Sequence, residues 1–319
     1  MIIKVTTNLT FLLPRLTEQI ETKKPIWRLE GLELVASLSR LLRLLVDYRQ
    51  ELRCRAITTT TTTTTTTSSS LQSRPEKITE MDDSLLMCTY TLLRFFQDDA
   101  LNSSSFSSLN SNRRSIMLRY VDRLASLHKL QGNYTEAAFT LKLHADQLSW
   151  SNGSSSSGAL SSSSECSRKE ALSETILEYF ERGQCWEEGL TVCKELAAVY
   201  EANYAYAKLA AVLRRNAHFL ERILSVGNNN TASPGSSQQQ QQLQHSRTDS
   251  EYFRVSFYGL GFASFLQNST FIYRGRPYEK LADFTGRLQR EFPAAQLLTK
   301  SGSFPTDESI TESYSQCKC

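Results

Sequence analysis

Few stretches of this chain hold residues whose type and spacing could do chemistry. GLGFAS at 259–264 carries part of a glycine-rich nucleotide loop, in which glycines let backbone N–H groups approach a pyrophosphate at a helix N-terminus. The final glycine is absent and no βαβ unit frames it, so the segment reads as a turn between two strands. Glu187 and Glu188 are adjacent carboxylates, but consecutive helical positions diverge, and this pair reads as a solvated helix side. The seven cysteines (54, 88, 166, 185, 193, 317, 319) lack zinc-site spacing, and His128, His144, His218 and His245 lie far from any ligand motif. P-loop, HExxH, GxSxG and EF-hand patterns are missing too. The expectation is a protein without catalytic residues, cofactor or metal, acting by contact with other macromolecules.

Composition fits that expectation. Lys plus Arg number 36 against 33 acidic residues among 319, a net charge of +3, so no large cationic field recommends nucleic acid. The opening MIIKVTTNLTFLLPRL is interrupted by Thr and Asn and lacks a small-residue cleavage site. No apolar run reaches membrane-spanning length. Scattered cysteines fit a reduced compartment, and a cytoplasmic location is expected.

The elements that must present any contact surface are mostly helical. WRLEGLELVASLSRLLRLLVDYRQELRC (27–54) places Leu34, Leu38, Leu41, Leu42 and Leu45 on an apolar face, and a second, shorter helix is expected over 82–99. A third aligns Ile116, Met117, Tyr120, Val121, Leu124, Leu127 and His128 before Gly132 and Asn133 end it. In NYTEAAFTLKLHADQLSW (133–150), Asn133 and Glu136 have the spacing of a capping box. Ala137, Leu141, His144, Ala145 and Leu148 form one stripe and Phe139 with Leu143 a second, as in a helix packed between neighbours. ALSETILEYFERG stops at Gly183. The next helix aligns Trp186, Leu190, Cys193, Leu196, Ala197 and Tyr200; the one after aligns Tyr206, Leu209, Ala210, Leu213, Ala217, Leu220 and Leu224 inward. Such repeated hairpins share the physical logic of a solenoid.

Four low-complexity tracts (58–70, 103–108, 151–164 and 233–244) read as disordered loops. From 252 the pattern changes: Phe253, Val255 and Phe257 alternate with Arg254 and Ser256, STFIYRGRPYE is a second β-prone run, and a helix with Leu281, Phe284, Leu288 and Phe292 inward ends near Pro293.

YVDRLASLHKLQGNYTEAAFTLKLHADQLSW (120–150) closely resembles the opening of the catalytic DHR-2 region of the dedicator-of-cytokinesis guanine nucleotide exchange factors. LLVDYR (44–49), ILEYFERGQCWEEGLTVCKELAAVYEANYAYAKLA (176–210) and FRVSFYGLGFASFLQNSTFIYRGRPYEKLADFTGRLQREFPAA (253–295) extend the likeness over about 30–300. The resemblance implies a first lobe of helices used for homodimerisation, a second lobe of antiparallel strands touching a Rho-type GTPase, and a third helical lobe whose loop displaces magnesium and loosens nucleotide. Asn133, Tyr134, Glu136 and Ala137 match the first-lobe hairpin turn, Trp186 and Glu187 a later helix. Phe257, Tyr258, Gly259, Phe262, Phe265, Leu266, Arg274, Gly275, Tyr278 and Glu279 match the second-lobe segment. FRV with FYG, CKELA and EFP resemble the Rac-acting branch.

The implied organisation is mainly α: a helical segment at 1–54, a low-complexity linker at 55–81, a helical array at 82–248 with Ser- and Gln-rich insertions, and a partial antiparallel β lobe with one helix at 249–319. Phe257, Tyr258, Phe271, Tyr273 and Arg274 are the implied GTPase-contact region; Asn133, Tyr134, Glu136, Ala137, Trp186, Gly259 and Gly275 are structural motif positions. The third lobe, and the SH3 and C2-like domains that would bring adaptors, lipid and plasma-membrane recruitment, have no match in 1–319. The expectation is therefore an incomplete chain, a homodimer that contacts Rac but is inactive alone. A non-catalytic helical scaffold or dimerisation module is the alternative from a different class.

Overall fold

The computed structural model describes residues 14–15, 17–18, 28–64, 74–102, 107–150, 159–229, 250–259, 261–297 and 315–318. They form two compact units, one from Met1–Arg113 with Ser250–Cys319 and the other from Arg114–Asp249. In chain order the elements are α1 (Arg28–Thr64), α2 (Arg74–Asn102), α3 (Ser107–Leu130), α4 (Tyr134–Ala145), α5 (Ala159–Arg182), α6 (Trp186–Ala202), α7 (Tyr206–Asn229), β1 (Ser250–Tyr258), β2 (Thr270–Pro277), α8 (Leu281–Glu291), β3 (Ala295–Leu297) and β4 (Ser315–Lys318). The mainly helical fold with a small β region is as expected.

Helices run into three of the tracts expected to be disordered. Thr58–Thr64 close α1, Ser107 and Ser108 open α3, and Ser161–Ser164 lie in α5. Once a helix is nucleated each further residue costs only tenths of a kcal/mol, even for Ser or Thr. The Gln-rich tract at 233–244 lies outside the described residues.

The Arg114–Asp249 unit is built on a repeated turn. Between α3 and α4, α5 and α6, and α6 and α7, a residue with left-handed backbone is followed by an N–H that reaches five residues back: Asn133 to His128, Cys185 to Phe180, and Ala205 to Tyr200. These bonds satisfy carbonyls that a helix end otherwise strands. Gly132 fills the left-handed position in the first turn (φ 78°), but Gln184 (56°) and Tyr204 (54°) fill it in the others. Gly183 follows Arg182, the last residue of α5, as expected, and it also supplies room: a Cβ there would stand 2.9 Å from Thr135 N.

The Asn133 capping box does not form. Its side chain caps no N–H and donates to Gln131 Oε1 at 3.0 Å, while its carbonyl accepts from Ala137. The turn has already fixed the entry of α4, leaving the amide to a local partner.

The unit's core joins Ala137, Leu141, Leu177, Phe180, Trp186, Leu196 and Phe219. Of the two stripes expected on α4, one is buried together with Ala138 and Thr140. Phe139 and Leu143 stay about half exposed, Phe139 meeting Phe180 edge-on at 5.2 Å. On α3 burial shifts toward the C-terminal half (Val121, Leu124, Ala125, Leu127), and Ile116 is exposed. The expected face of α6 is the buried one, with burial pushing the Cys193 thiol up to about 11.

On α7 the expectation is overturned. Val212 and Phe219 are buried and Leu209, Ile223 and Val226 pack beside them, whereas Tyr206, Leu213, Leu220 and Leu224 are exposed. The helix carries two apolar stripes, and α6 takes the one that carries Phe219. Gly189 of α6 makes this contact possible: a Cβ there would stand 2.5 Å from Phe219 Cε2. Gly189→Ala should overpack the joint and destabilise the unit by about 1–3 kcal/mol, measured as a lower urea midpoint.

In the other unit α1 and α2 pack together. Leu42 and Leu44 of α1 are buried, while Leu34 and Leu38, expected inward, are exposed. α2 is longer than the expected 82–99 and buries Leu85, Cys88, Leu92, Leu93, Phe95 and Phe96. Arg40 lies 5.7 Å from the Phe95 ring. The sheet order is β2-β1-β4-β3. β1 pairs antiparallel with β2 and β4, but β3 pairs parallel with β4, so the sheet is mixed rather than wholly antiparallel.

Candidate functional site

The β1–β2 register sorts the expected contact residues by face. Phe253 opposes Tyr273 and Val255 opposes Phe271, while Tyr252 opposes Arg274 and Arg254 opposes Ile272. Because side chains alternate across a strand, the first two pairs share one face and the last two the other. Phe257 is the hub of the inner face. Its ring centroid lies 5.1 Å from Phe262, 5.4 Å from Phe292, 6.1 Å from Phe271 and 6.5 Å from Tyr273. Phe253 stacks on Phe284 at 4.1 Å and 14°.

Phe257, Phe271 and Tyr273 are therefore buried in the unit's own core. Tyr273 donates its hydroxyl to Met87 Sδ of α2 at 2.9 Å, and Phe271 meets Tyr90 of α2 at 6.2 Å. Ser264 in the β1–β2 connection donates to Asp47 of α1. The helical pair thus backs the sheet through contacts more than 180 residues apart in sequence. Tyr258 and Arg274 are partly exposed, and Arg274 Nε donates to Ser250 Oγ at 3.0 Å. Tyr252, Arg254 and Ile272 on the strands, and Tyr278 just past β2, are exposed. Their even-numbered places opposite the aromatic run were the available signal, masked by the aromatic residues' weight in the motif.

The described residues of GLGFAS, 259 and 261–264, lie in the connection between β1 and β2, with Gly259 at φ 104°. Gly275 sits where the β1–β2 register slips between Ser250 and Tyr252; a Cβ there would stand 2.6 Å from Phe253 Cε2 and 3.0 Å from Glu251 O. Glu279 ties this bulge to α8. Arg287 donates to it through Nε (3.1 Å) and Nη2 (3.0 Å), and the Arg276 N–H at 2.7 Å. Burial raises the Glu279 carboxyl, but these donors outweigh it and hold it below its ordinary range. Arg287 also approaches Asp83 of α2 at 4.0 Å.

The remaining motif positions lie in the Arg114–Asp249 unit and serve packing. Tyr134 meets Tyr179 at 5.9 Å under the Arg182 guanidinium. Ala137 and Trp186 are core residues, Trp186 beneath Arg222 at 5.4 Å. Asn133 is in the turn, and Glu136 holds the first turn of α4, its carbonyl accepting from Thr140. No helix among the described residues is long and apolar enough to cross a membrane.

The family described as DHR-2, Lobe A matches residues 101–225. Dedicator of cytokinesis protein 4 of Mus musculus is 31% identical over 304 residues, 95% of this chain and 12% of that protein. Dedicator of cytokinesis protein 3 of Homo sapiens is 30% identical over 283 residues, 88% of this chain and 11% of that protein. DOCK-like protein 1 of Saccharomyces cerevisiae is 29% identical over 196 residues, 60% of this chain and 9% of that protein. The chain spans about an eighth of the length of the first two relatives. With the repeated-turn array where the lobe A match falls and the strands within the longer alignments, the chain belongs to the dedicator-of-cytokinesis family, as a portion of its DHR-2 region.

Proposed function

We propose that this region serves a guanine nucleotide exchange factor for a Rho-family GTPase, with Rac as the partner and the outer face of β1 and β2 as part of the contact. The supporting observation is that face itself: exposed Ile272 and Tyr252 beside Arg254 and Arg274, a mixture of apolar and cationic side chains suited to a protein partner. Exchange needs no covalent chemistry. It needs contacts stronger with the nucleotide-free GTPase than with the nucleotide-bound one. By the family resemblance the loosening loop belongs to a third lobe without a match in 1–319, so these residues alone bind weakly and leave release at its intrinsic rate.

The test is release of a fluorescent GDP analogue from Rac by residues 1–319 and by a product extended through the third lobe. Acceleration by the extended product alone is expected. No acceleration by either would overturn the exchange reading, and full activity of 1–319 would place the exchange element within the array or the first strands.

A second reading, compatible with the first, is homodimerisation through the array. It is favoured by Tyr206, Leu213, Leu220 and Leu224, an exposed apolar stripe on α7. A cytoplasmic location goes with both readings. Adaptor or lipid recruitment to the plasma membrane would require domains that 1–319 does not match.

A further inference from the structure

The chain's positive charge is concentrated on one helix. α3 holds Arg113, Arg114, Arg119, Arg123 and Lys129 against Asp122 alone, a net +4 in a chain whose total is +3, so all other residues together are net −1. Arg114 donates to the Gln147 carbonyl, and Lys129 lies 5.4 Å from the Tyr179 ring. Asp122 is engaged by His144, its Oδ1 lying 2.6 Å from Nδ1. Arg119 and Arg123 are exposed and pair with no carboxylate among the described residues.

Ile116, Arg119, Arg123, Ser126 and Leu130 recur at three- and four-residue spacing, so they form one outward stripe along about 21 Å of helix. The stripe lies opposite the buried Val121, Leu124 and Ala125. Ile116 (41% exposed) and Leu130 (66%) stand at its ends, with the arginines between them. A protein interface places apolar side chains at its centre and charge at its rim. This stripe has the reverse order. It suits a lipid surface, where mobile anionic headgroups meet a guanidinium anywhere along the helix and apolar chains lie just beneath for the aliphatic ends.

We infer that the outward face of α3 rests on an anionic phospholipid surface, with Arg119 and Arg123 donating to the headgroup anions. Each cation near such a surface strengthens binding about fivefold. Two arginines therefore orient a protein that other domains already hold at the membrane, and do not recruit it alone. Neither the outer face of β1 and β2 nor the α7 stripe takes part, so this contact stands apart from the exchange and dimerisation readings.

The test is sedimentation of the full 319-residue chain with vesicles of phosphatidylcholine, alone or with about 40% phosphatidylserine as the anionic lipid. Binding to the phosphatidylserine vesicles alone is expected at about 10 mM salt, where the screening length is about 30 Å, and its loss at about 1 M, where that length is about 3 Å. Arg119→Gln should weaken it about fivefold, and Arg119→Gln combined with Arg123→Gln about thirtyfold, with circular dichroism showing the helices intact. Arg214→Gln removes an equal charge from an exposed position on α7 and should weaken binding less than about twofold. Absence of binding to phosphatidylserine vesicles at low salt, an equal loss in Arg214→Gln, or undiminished binding in the double variant would overturn the inference. Binding of polyglutamate through the two arginines without binding of vesicles would also overturn it, and would assign the face to an acidic protein.

Discussion

Phe257→Ala is expected to cost the sheet-bearing unit about 3–5 kcal/mol, whereas Ile272→Asp should leave its stability within about 0.5 kcal/mol and weaken Rac binding about tenfold or more. Both residues lie in the strands that the family motif marks for contact, and the structure separates their roles. Phe257 is fully buried and touches four other aromatic rings, so truncation leaves a void that a rigid cluster cannot collapse around. Ile272 is 74% exposed and crosses from Arg254; a carboxylate there remains hydrated in the free protein and is desolvated only when a partner covers it. Hydrogen exchange in β1 and β2 reads the first effect, and titration against nucleotide-free Rac reads the second. If Phe257→Ala keeps native protection yet loses binding, Phe257 is a contact residue after all. If Ile272→Asp binds normally, the outer face is not the contact.

The legible parts of the fold are those set by short-range period. α6 presents the face that its spacing gives, since Trp186, Cys193, Leu196 and Tyr200 are all buried, and α8 buries Phe284 and Leu288 as expected, whereas Leu281, also expected inward, is exposed at the helix's first position. α7 was misread because it carries two apolar stripes, and periodicity cannot tell which one a neighbour will cover; the fit of Phe219 against Gly189 decides. On α1, Leu34 and Leu38 complete a good stripe, but burial begins only at Leu42. The hardest feature to read was the backing of the sheet by α1 and α2, through Tyr273 with Met87 and Ser264 with Asp47. No local pattern encodes contacts between segments so far apart. The candidate contact region had the same difficulty in a milder form: motif residues stand out because they are large and aromatic, and such residues are the ones a small sheet uses for its core.

Leu213→Asp combined with Leu220→Asp is expected to convert the chain from dimer to monomer, weakening self-association about a thousandfold or more. Tyr206, Leu213 and Leu220 recur at seven-residue intervals and Leu224 follows one turn on, giving a continuous stripe beside the side of α7 that holds Val212 and Phe219. A strip of this kind on a helix already anchored by another face is what an isologous interface uses, and in a two-fold dimer every substitution occurs twice. Four carboxylates would then be desolvated without partners, each costing at least as much as a typical interface hot spot. The monomer should stay folded, because both positions are about half exposed and the contacts of α7 with α6 run through other residues. Sedimentation equilibrium of the native and doubly substituted chains measures the difference, with Glu221→Gln as an exposed control off the stripe. A native chain that remains monomeric at about 50 μM, a concentration that would populate any association tighter than about −6 kcal/mol, would remove dimerisation through α7. A substituted chain that still dimerises would move the interface to another face of the array, with Phe139 and Leu143 of α4, both about half exposed, the next pair to change.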